Sequence, residues 1–425
     1  MRWLLFLSLF TGMAHAKSVG CSHKGVELPA PGLPSTASAN WQGAYDDTHR
    51  LLCKNLKTPN VFFRGYRARP ATPFRAAYLW DTAFITQIWR HWDPSMAQKL
   101  LDYVFRFQRK SGLIHHAIAE ILVKPLPQRA TQPPLLSWAA WRVFEKSQDH
   151  SWLEGAYPKL KKYQDWLRLE RRHPDGLYFW HDPYESGIDN SPRFANRNES
   201  FFDDTRRMAA VDMSSYIVLS LEALEHIAEE LGLHDEALAY NQEREALKAT
   251  INARLWDAVS GSYHDWDYRK EDFIRIHTVS DLTPLVAGIP NEAQAALMVS
   301  RIMDPTKYNT LIPFPSVARD EKLFVKDMWR GPVWVNMAYL GILGMDRYGY
   351  KAEATELAYR LAGGVYDTWE TEGSIYEFYD PDRTDIRELH RKKGNWWKKL
   401  TLGSKPVKGF VGWSGLVNAL LQEFP

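Results

Sequence analysis

Helical periodicity that runs almost unbroken from Trp41 to the C-terminus constrains this chain more than anything else in it. Apolar residues step at helical spacing on Ala83, Ile85, Ile88, Trp89 and Trp92, and again on Ala97, Leu100, Leu101, Val104, Phe105 and Phe107, with Asp93-Pro94-Ser95 between them as a helix start. The same pattern predicts helices over 134–146, 156–170, 212–232, 235–256, 291–303, 333–347, 351–366 and 411–422. Strand-like pieces occur only at the joints, at Gly176–Trp180 and Gly261–Trp266, and read as small hairpins in loops. Roughly a dozen helices in sequential pairs, with polar residues gathered between the pairs, predict an all-α chain folded as a single (α/α)6 barrel. A solenoid would need repeats that resemble one another, and none do. No Pro/Ser/Gly-rich linker follows residue 40, so 41–425 reads as one domain.

Ahead of it, Arg2, the apolar run Trp3–Met13 and Ala14-His15-Ala16 read as a secretory signal over 1–16, which places the mature protein in the periplasm or outside the cell. Residues 17–40, with Pro29, Pro31 and Pro34, read as an extended arm. Cys21 and Cys53 are either a disulfide tying that arm down or two separate thiols. No later segment is a candidate membrane span. With 53 basic against 51 acidic residues the net charge is +2, and the longest basic cluster, Arg391–Lys399, is local, which argues against nucleic acid as a partner.

The joints carry the chemistry. Glu185–Phe194 (ESGIDNSPRF) packs Glu185, Asp189, Asn190, Ser191 and Arg193 around Gly187 and Pro192, too many hydrogen-bonding groups for a buried turn to satisfy alone. Gly373–Pro381 (GSIYEFYDP) sets Glu377 and Asp380 among Tyr376, Phe378 and Tyr379. Carboxylates surrounded by aromatics suit sugar chemistry, and 18 Trp suit platforms for flat sugar faces, although many of them simply pack helices. Asp81, after Trp80, reads on its own as a helix cap or a sugar ligand. His115-His116 has too few companions for a metal site; a hydrogen bond from His115 to a sugar hydroxyl is the reading adopted. Trp329, Arg330 and Trp334 crowd one turn, and Trp413 opens the last helix.

Taken in order, LWDTAF, ESGIDNSPRF, WRGPVWVNMAYL, YEFYDP and GFVGWSGLV resemble glycoside hydrolase family 63, and more distantly the trehalases, from about Arg64 onward. The resemblance implies an (α/α)6 barrel, a site without metal or cofactor, and hydrolysis of an α-glucosidic or α-mannosidic bond of a small glycoside or oligosaccharide with inversion. It assigns Asp189 as general acid and Glu377 as general base, with Trp80, Asp81, Trp329 and Arg330 around the sugar. Inversion needs two carboxyl groups about 6.5–9.5 Å apart, which two distant loops meeting at one barrel mouth can supply. An acid with a raised pKa should not face a guanidinium, so Arg193 is expected to point elsewhere, at Glu185. The basic stretch 383–408 departs from the family pattern and reads as a cover favouring an anionic leaving group, or as a solvated loop. The alternatives are a trehalase-like hydrolase, distinguished by its substrate, and a sugar-binding barrel without turnover, distinguished by binding alone.

Overall fold

The computed structural model describes residues 20–23, 26–61, 63–120, 124–126, 130–194, 203–391 and 403–425; the predicted signal segment lies outside them. Six helices form an inner ring: α2 (Leu79–Trp92), α4 (Leu136–Ser147), α6 (Val211–Glu230), α8 (Thr283–Val286), α10 (Val335–Arg347) and α13 (Leu416–Glu423). Each packs on the next, α2 on α4, α4 on α6, α6 on α8, α8 on α10 and α10 on α13, and α13 returns to α2. Outside them lie α1 (Gln42–Asn55), α3 (Pro94–Phe105), α5 (His150–Glu170), α7 (His234–Leu255), α9 (Glu292–Ile302) and α11 (Lys351–Glu372). The chain is an (α/α)6 barrel.

Inner and outer helices differ in sequence because they differ in surroundings. In the first half of α6 both faces are covered and every residue from Val211 to Leu221 is buried; apart from Asp212 its charges, Glu222, Glu225, Glu229 and Glu230, fall in the second half, where Leu224 and Ala228 stay fully buried. In α7 only Ala237, Tyr240, Leu247, Ile251 and Leu255 are buried, a single stripe under a charged face. Each large apolar side chain so buried stabilises the fold by about 1.5–3 kcal/mol before entropy is counted. No helix among the described residues is long and apolar enough to cross a membrane.

Three boundaries depart from the sequence reading. α5 begins at His150 rather than 156 because Asp149 caps it, accepting from the Trp152 amide at 3.0 Å; Pro158 lies inside the helix and does not start it. α11 continues to Glu372, and Gly373 ends it in the left-handed conformation. The final helix is broken at Gly415 into α12 (Val411–Ser414) and α13. The strand expected at 176–180 is reduced to one bridge, Arg172 with Tyr178, closed by the His173 amide on the Leu177 carbonyl at 2.7 Å and the Phe179 amide on the Arg171 carbonyl at 3.0 Å. By contrast the 261–266 region does form strands, β10 (Ser262–Tyr263) and β11 (Asp265–Asp267), on separate partners.

The arm is partly a hairpin, β1 (Gly20–His23) against β2 (Val26–Pro29), and Cys21 is bonded to Cys53 of α1.

Candidate active site

The N-terminal ends of the inner helices, with the loops leading into them, surround a cavity of about 480 Å³. This is the size of a small-ligand site. Its lining includes Asp81 from the first turn of α2, Asp189, Glu377, Trp329, Trp334 and Trp413, joined by Tyr78, His116, Gln132, Tyr184, Gly187, Met328 and Arg391.

The Glu185–Phe194 loop is built from behind. Glu185 is fully buried, receives the Arg171 guanidinium at 2.7–3.1 Å, and accepts from the amides of Thr131 and His181 at 2.9 and 2.8 Å. Its lone pairs are spent on the loop, and it does not line the cavity. Arg193 does point away from Asp189, but not at Glu185: it donates to Asp212 at 2.6 and 3.0 Å and to Asp265 at 3.1 and 3.2 Å. The reason is that Arg171 already satisfies Glu185, whereas Asp212 and Asp265 are buried carboxylates in need of a cation. Gly187 has φ +73°, and a Cβ there would fall 2.0 Å from Trp80 Cζ3. Only glycine lets this loop lie flat on the indole. Trp80 is therefore behind the loop, stacked on Trp329 at 6.2 Å between ring centroids, rather than on the cavity wall.

Asn190 fastens the Glu185–Phe194 loop to the next one by accepting from the Trp329 amide at 3.0 Å. Trp329 and Trp334 stack face to face at 3.9 Å and 7°, with the Trp334 indole N–H donating to the Met328 carbonyl at 2.9 Å. Met328 has φ +47°, a strained conformation for a side chain with a Cβ, held at the cavity by these neighbours. Trp413 leans on both indoles. Arg330 follows in this turn, but its side chain is not part of the lining. The Gly373–Pro381 loop is tied in by a reciprocal pair between Val333 and Tyr379, at 2.8 and 2.9 Å. Glu377 itself is 3% exposed and held by Arg391, Nε to Oε2 at 2.7 Å and Nη2 to Oε1 at 3.1 Å, and by the Val407 amide at 3.2 Å.

Asp81 lines the same cavity at 4% exposure. Burial pushes its carboxyl up to about 8, and the charge of Glu377 adds to this against its own amide. At neutral pH it is a hydrogen-bond donor as well as an acceptor. Burial likewise raises the phenols of Tyr78 and Tyr184, which stay neutral.

His115 lies outside the lining, with Arg109 donating to its Nε2 at 2.8 Å. The cavity histidine is His116, stacked on Tyr184 at 4.0 Å and paired with Gln132 at 3.1 Å. Among the described residues one cluster has metal-ligand types, His264, His277 and Asp281, away from the cavity lining. Arg301 lies against this cluster, its Nη1 at 3.0 Å from His277 Nε2 and 3.4 Å from Nδ1, so a fixed cation already stands beside these residues.

A family model for the "mannosylglycerate hydrolase MGH1-like glycoside hydrolase domain" matches residues 75–397, about three quarters of the chain. The chain belongs to this family. This member of the MGH1-like family is accordingly a glycoside hydrolase. It is 25% identical to a mannosylglycerate hydrolase of Thermus thermophilus, over 77% of this chain and 94% of the relative, and 26% identical to one of Rubrobacter radiotolerans, over 71% and 85%. Among solved structures, a GH63 mannosylglycerate hydrolase of Thermus thermophilus in complex with glucose superposes with a TM-score of 0.72 at 23% identity, covering 89% of this chain and 100% of that one. The neutral trehalase of Saccharomyces cerevisiae shares the fold at a TM-score of 0.65 and 17% identity, covering 83% and 73%.

Proposed function

We propose that this glycoside hydrolase cleaves an α-mannosidic or α-glucosidic bond with inversion, Asp189 acting as general acid and Glu377 as general base. The observation that carries the reading is that these two carboxyls, from loops far apart in sequence, line one cavity walled by Trp329, Trp334 and Trp413. Water attacks the anomeric carbon and gives its proton to Glu377, while the bond to the leaving oxygen breaks as Asp189 protonates that oxygen. The β-sugar and the free aglycone are the products. The relatives named mannosylglycerate hydrolases favour a small acidic aglycone, and two guanidinium groups in the lining, Arg75 and Arg391, agree with that choice.

The test is hydrolysis of mannosylglycerate, glucosylglycerate, other α-glucosides and α-mannosides, and trehalose, with NMR reading the first anomer released. Release of the β-anomer from one of them is expected, matched for trehalose by an equal amount of α-glucose from the leaving half; first appearance of the α-anomer without the β-anomer, or no release from any, refutes the reading. Asp189→Asn and Glu377→Gln should each lower turnover by about 10²–10⁴ at unchanged melting temperature. Near-normal rates in either variant would remove that residue from its role.

We further propose that the protein is exported to the periplasm or beyond. The signal-like N-terminus supports this, as does the Cys21–Cys53 disulfide, a bond that persists in oxidising compartments. Mass spectrometry of the protein from its source should find a mature N-terminus at Lys17; an intact Met1 would refute export.

A further inference from the structure

Glu377 is not held by the loop that carries it. Its carboxylate lies against Arg391, a residue of the basic stretch that follows, which meets both oxygens side-on through Nε and Nη2 at 2.7 and 3.1 Å. Such a fork sets the carboxylate plane as well as its place, which a single ammonium could not do. Arg391 is in turn pinned to the site from two sides. Its amide donates to the Ser404 carbonyl at 2.8 Å; the amide of its neighbour His390 donates to Lys326 at 2.8 Å, and the His390 carbonyl accepts from Met328 at 3.2 Å.

The third nitrogen is the unusual one. Arg391 is 4% exposed and lines the cavity, yet among the described residues Nη1 has no hydrogen-bond partner. Leaving a buried cationic donor unused is costly, so the arrangement calls for an acceptor that arrives with the ligand. Burial works against the guanidinium's charge, but the charges of Glu377, Asp189 and Asp327 outweigh it. Arg391 therefore stands in the field of both the acid and the base.

We infer that Arg391 is a positioning residue of the hydrolysis, orienting Glu377 with Nε and Nη2 while Nη1 donates to an oxygen of the bound glycoside. The inference rests on the role of Glu377 as base proposed above. The charged groups facing Glu377 are Arg391 from the basic stretch and Asp81 from α2, with Asp189 on the acid loop and Asp327 ahead of Trp329 facing Arg391. Among the described residues only Arg391 donates to Glu377 from a charged side chain. Without it, the Glu377 carboxylate loses the one cation hydrogen-bonded to both its oxygens among the described residues, a partner that favours its charged form.

The experiment compares wild type, Arg391→Lys and Arg391→Gln by two readouts. Carbon-13 NMR of glutamate carboxyls, with the Glu377 signal assigned by its loss in Glu377→Gln, follows ionisation without turnover. In Arg391→Gln this signal should titrate about one unit or more above wild type, and the acidic limb of kcat/KM should move with it; Arg391→Lys should restore most of the shift. Arg391→Lys should still raise KM about tenfold or more, having lost the donor to the glycoside. Exposed Arg387, which pairs with Asp385, serves as control: Arg387→Gln should leave the profile in place. A Glu377 signal that titrates at the wild-type pH in Arg391→Gln overturns the orienting role, and an unchanged KM in Arg391→Lys overturns the Nη1 contact. If the titration shifts while no glycoside is hydrolysed even by wild type, it is the functional reading that fails and not the pairing.

Discussion

Asp81 shows how far one side chain can be moved by its place. An aspartate ordinarily releases its proton near 3.8; buried under the first turn of α2 and near Glu377, this one holds it to about 8. The folded state thus binds a proton that the unfolded chain has already lost. Stability from this group is full below about pH 4 and is lost as pH rises through about 8. Asp81→Asn, which carries no titrating proton, should flatten the decline in melting temperature between pH 4 and 8; an equal decline in both proteins would show that Asp81 ionises normally. Its place beside a tryptophan at a helix mouth was legible in the sequence but its use was not, since a helix cap accounts for a carboxylate there as well. His115 and His116 were not separable in the same way. Adjacent residues in extended chain face opposite sides, and which side meets the cavity depends on the pairing of β5 (Ala76–Tyr78) with β6 (Ala117–Ala119) just beyond them.

At the scale of elements, the 185–194 loop has turn hydrogen bonds of its own, such as Ser191 to Ile188 at 3.1 Å, but charges tie it to the barrel. Arg193 is 2% exposed between Asp212 of α6 and Asp265 of β11, so one guanidinium joins loop, helix and strand. Burial raises Asp265 to about 6, partly offset by Arg193 and reinforced by Asp212. Arg193→Met keeps the volume but strands two carboxylates, and should cost about 3–5 kcal/mol at pH 7 by urea unfolding. The loss should shrink near pH 5, where Asp265 takes up a proton. A loss of under 1 kcal/mol at pH 7 would mean that the triad does not carry the loop. The motif announced a polar loop, but its partners lie on elements distant in sequence. Glu185 and Arg193 therefore looked like partners and are not: Arg171, at the end of α5, reaches Glu185 first.

For the whole molecule the problem is closure. The last inner helix must meet the first, and Glu423 at the end of α13 does this, accepting from Arg90 at 2.6 Å and His91 at 3.1 Å on α2, Arg142 at 3.0 Å on α4, and Tyr339 at 2.8 Å on α10. Burial opposes the charge, but Arg142, His91 and Arg90 together hold the carboxyl well below the usual range. A depressed pKa contributes stability above the ordinary value of 4.5, lost as pH falls below it. Glu423→Gln should therefore cost about 3–5 kcal/mol at pH 7, and its stability should change less than that of wild type between pH 5 and 3. Acid denaturation curves that run parallel would exclude Glu423 as the closing contact.

By itself the sequence determined the alternation of helices, the class of fold, and the loops on which chemistry would be found. Those are written in local periodicity and in residue types that a core does not tolerate. Only the tertiary structure decided which of those residues meet. It turned His116 and not His115 into the cavity, set Trp80 behind Gly187, and brought Arg391 onto Glu377 from a stretch that read as a surface loop. The physical reason is that burial and charge pairing act between residues far apart along the chain, and neither leaves a mark in the spacing of neighbours.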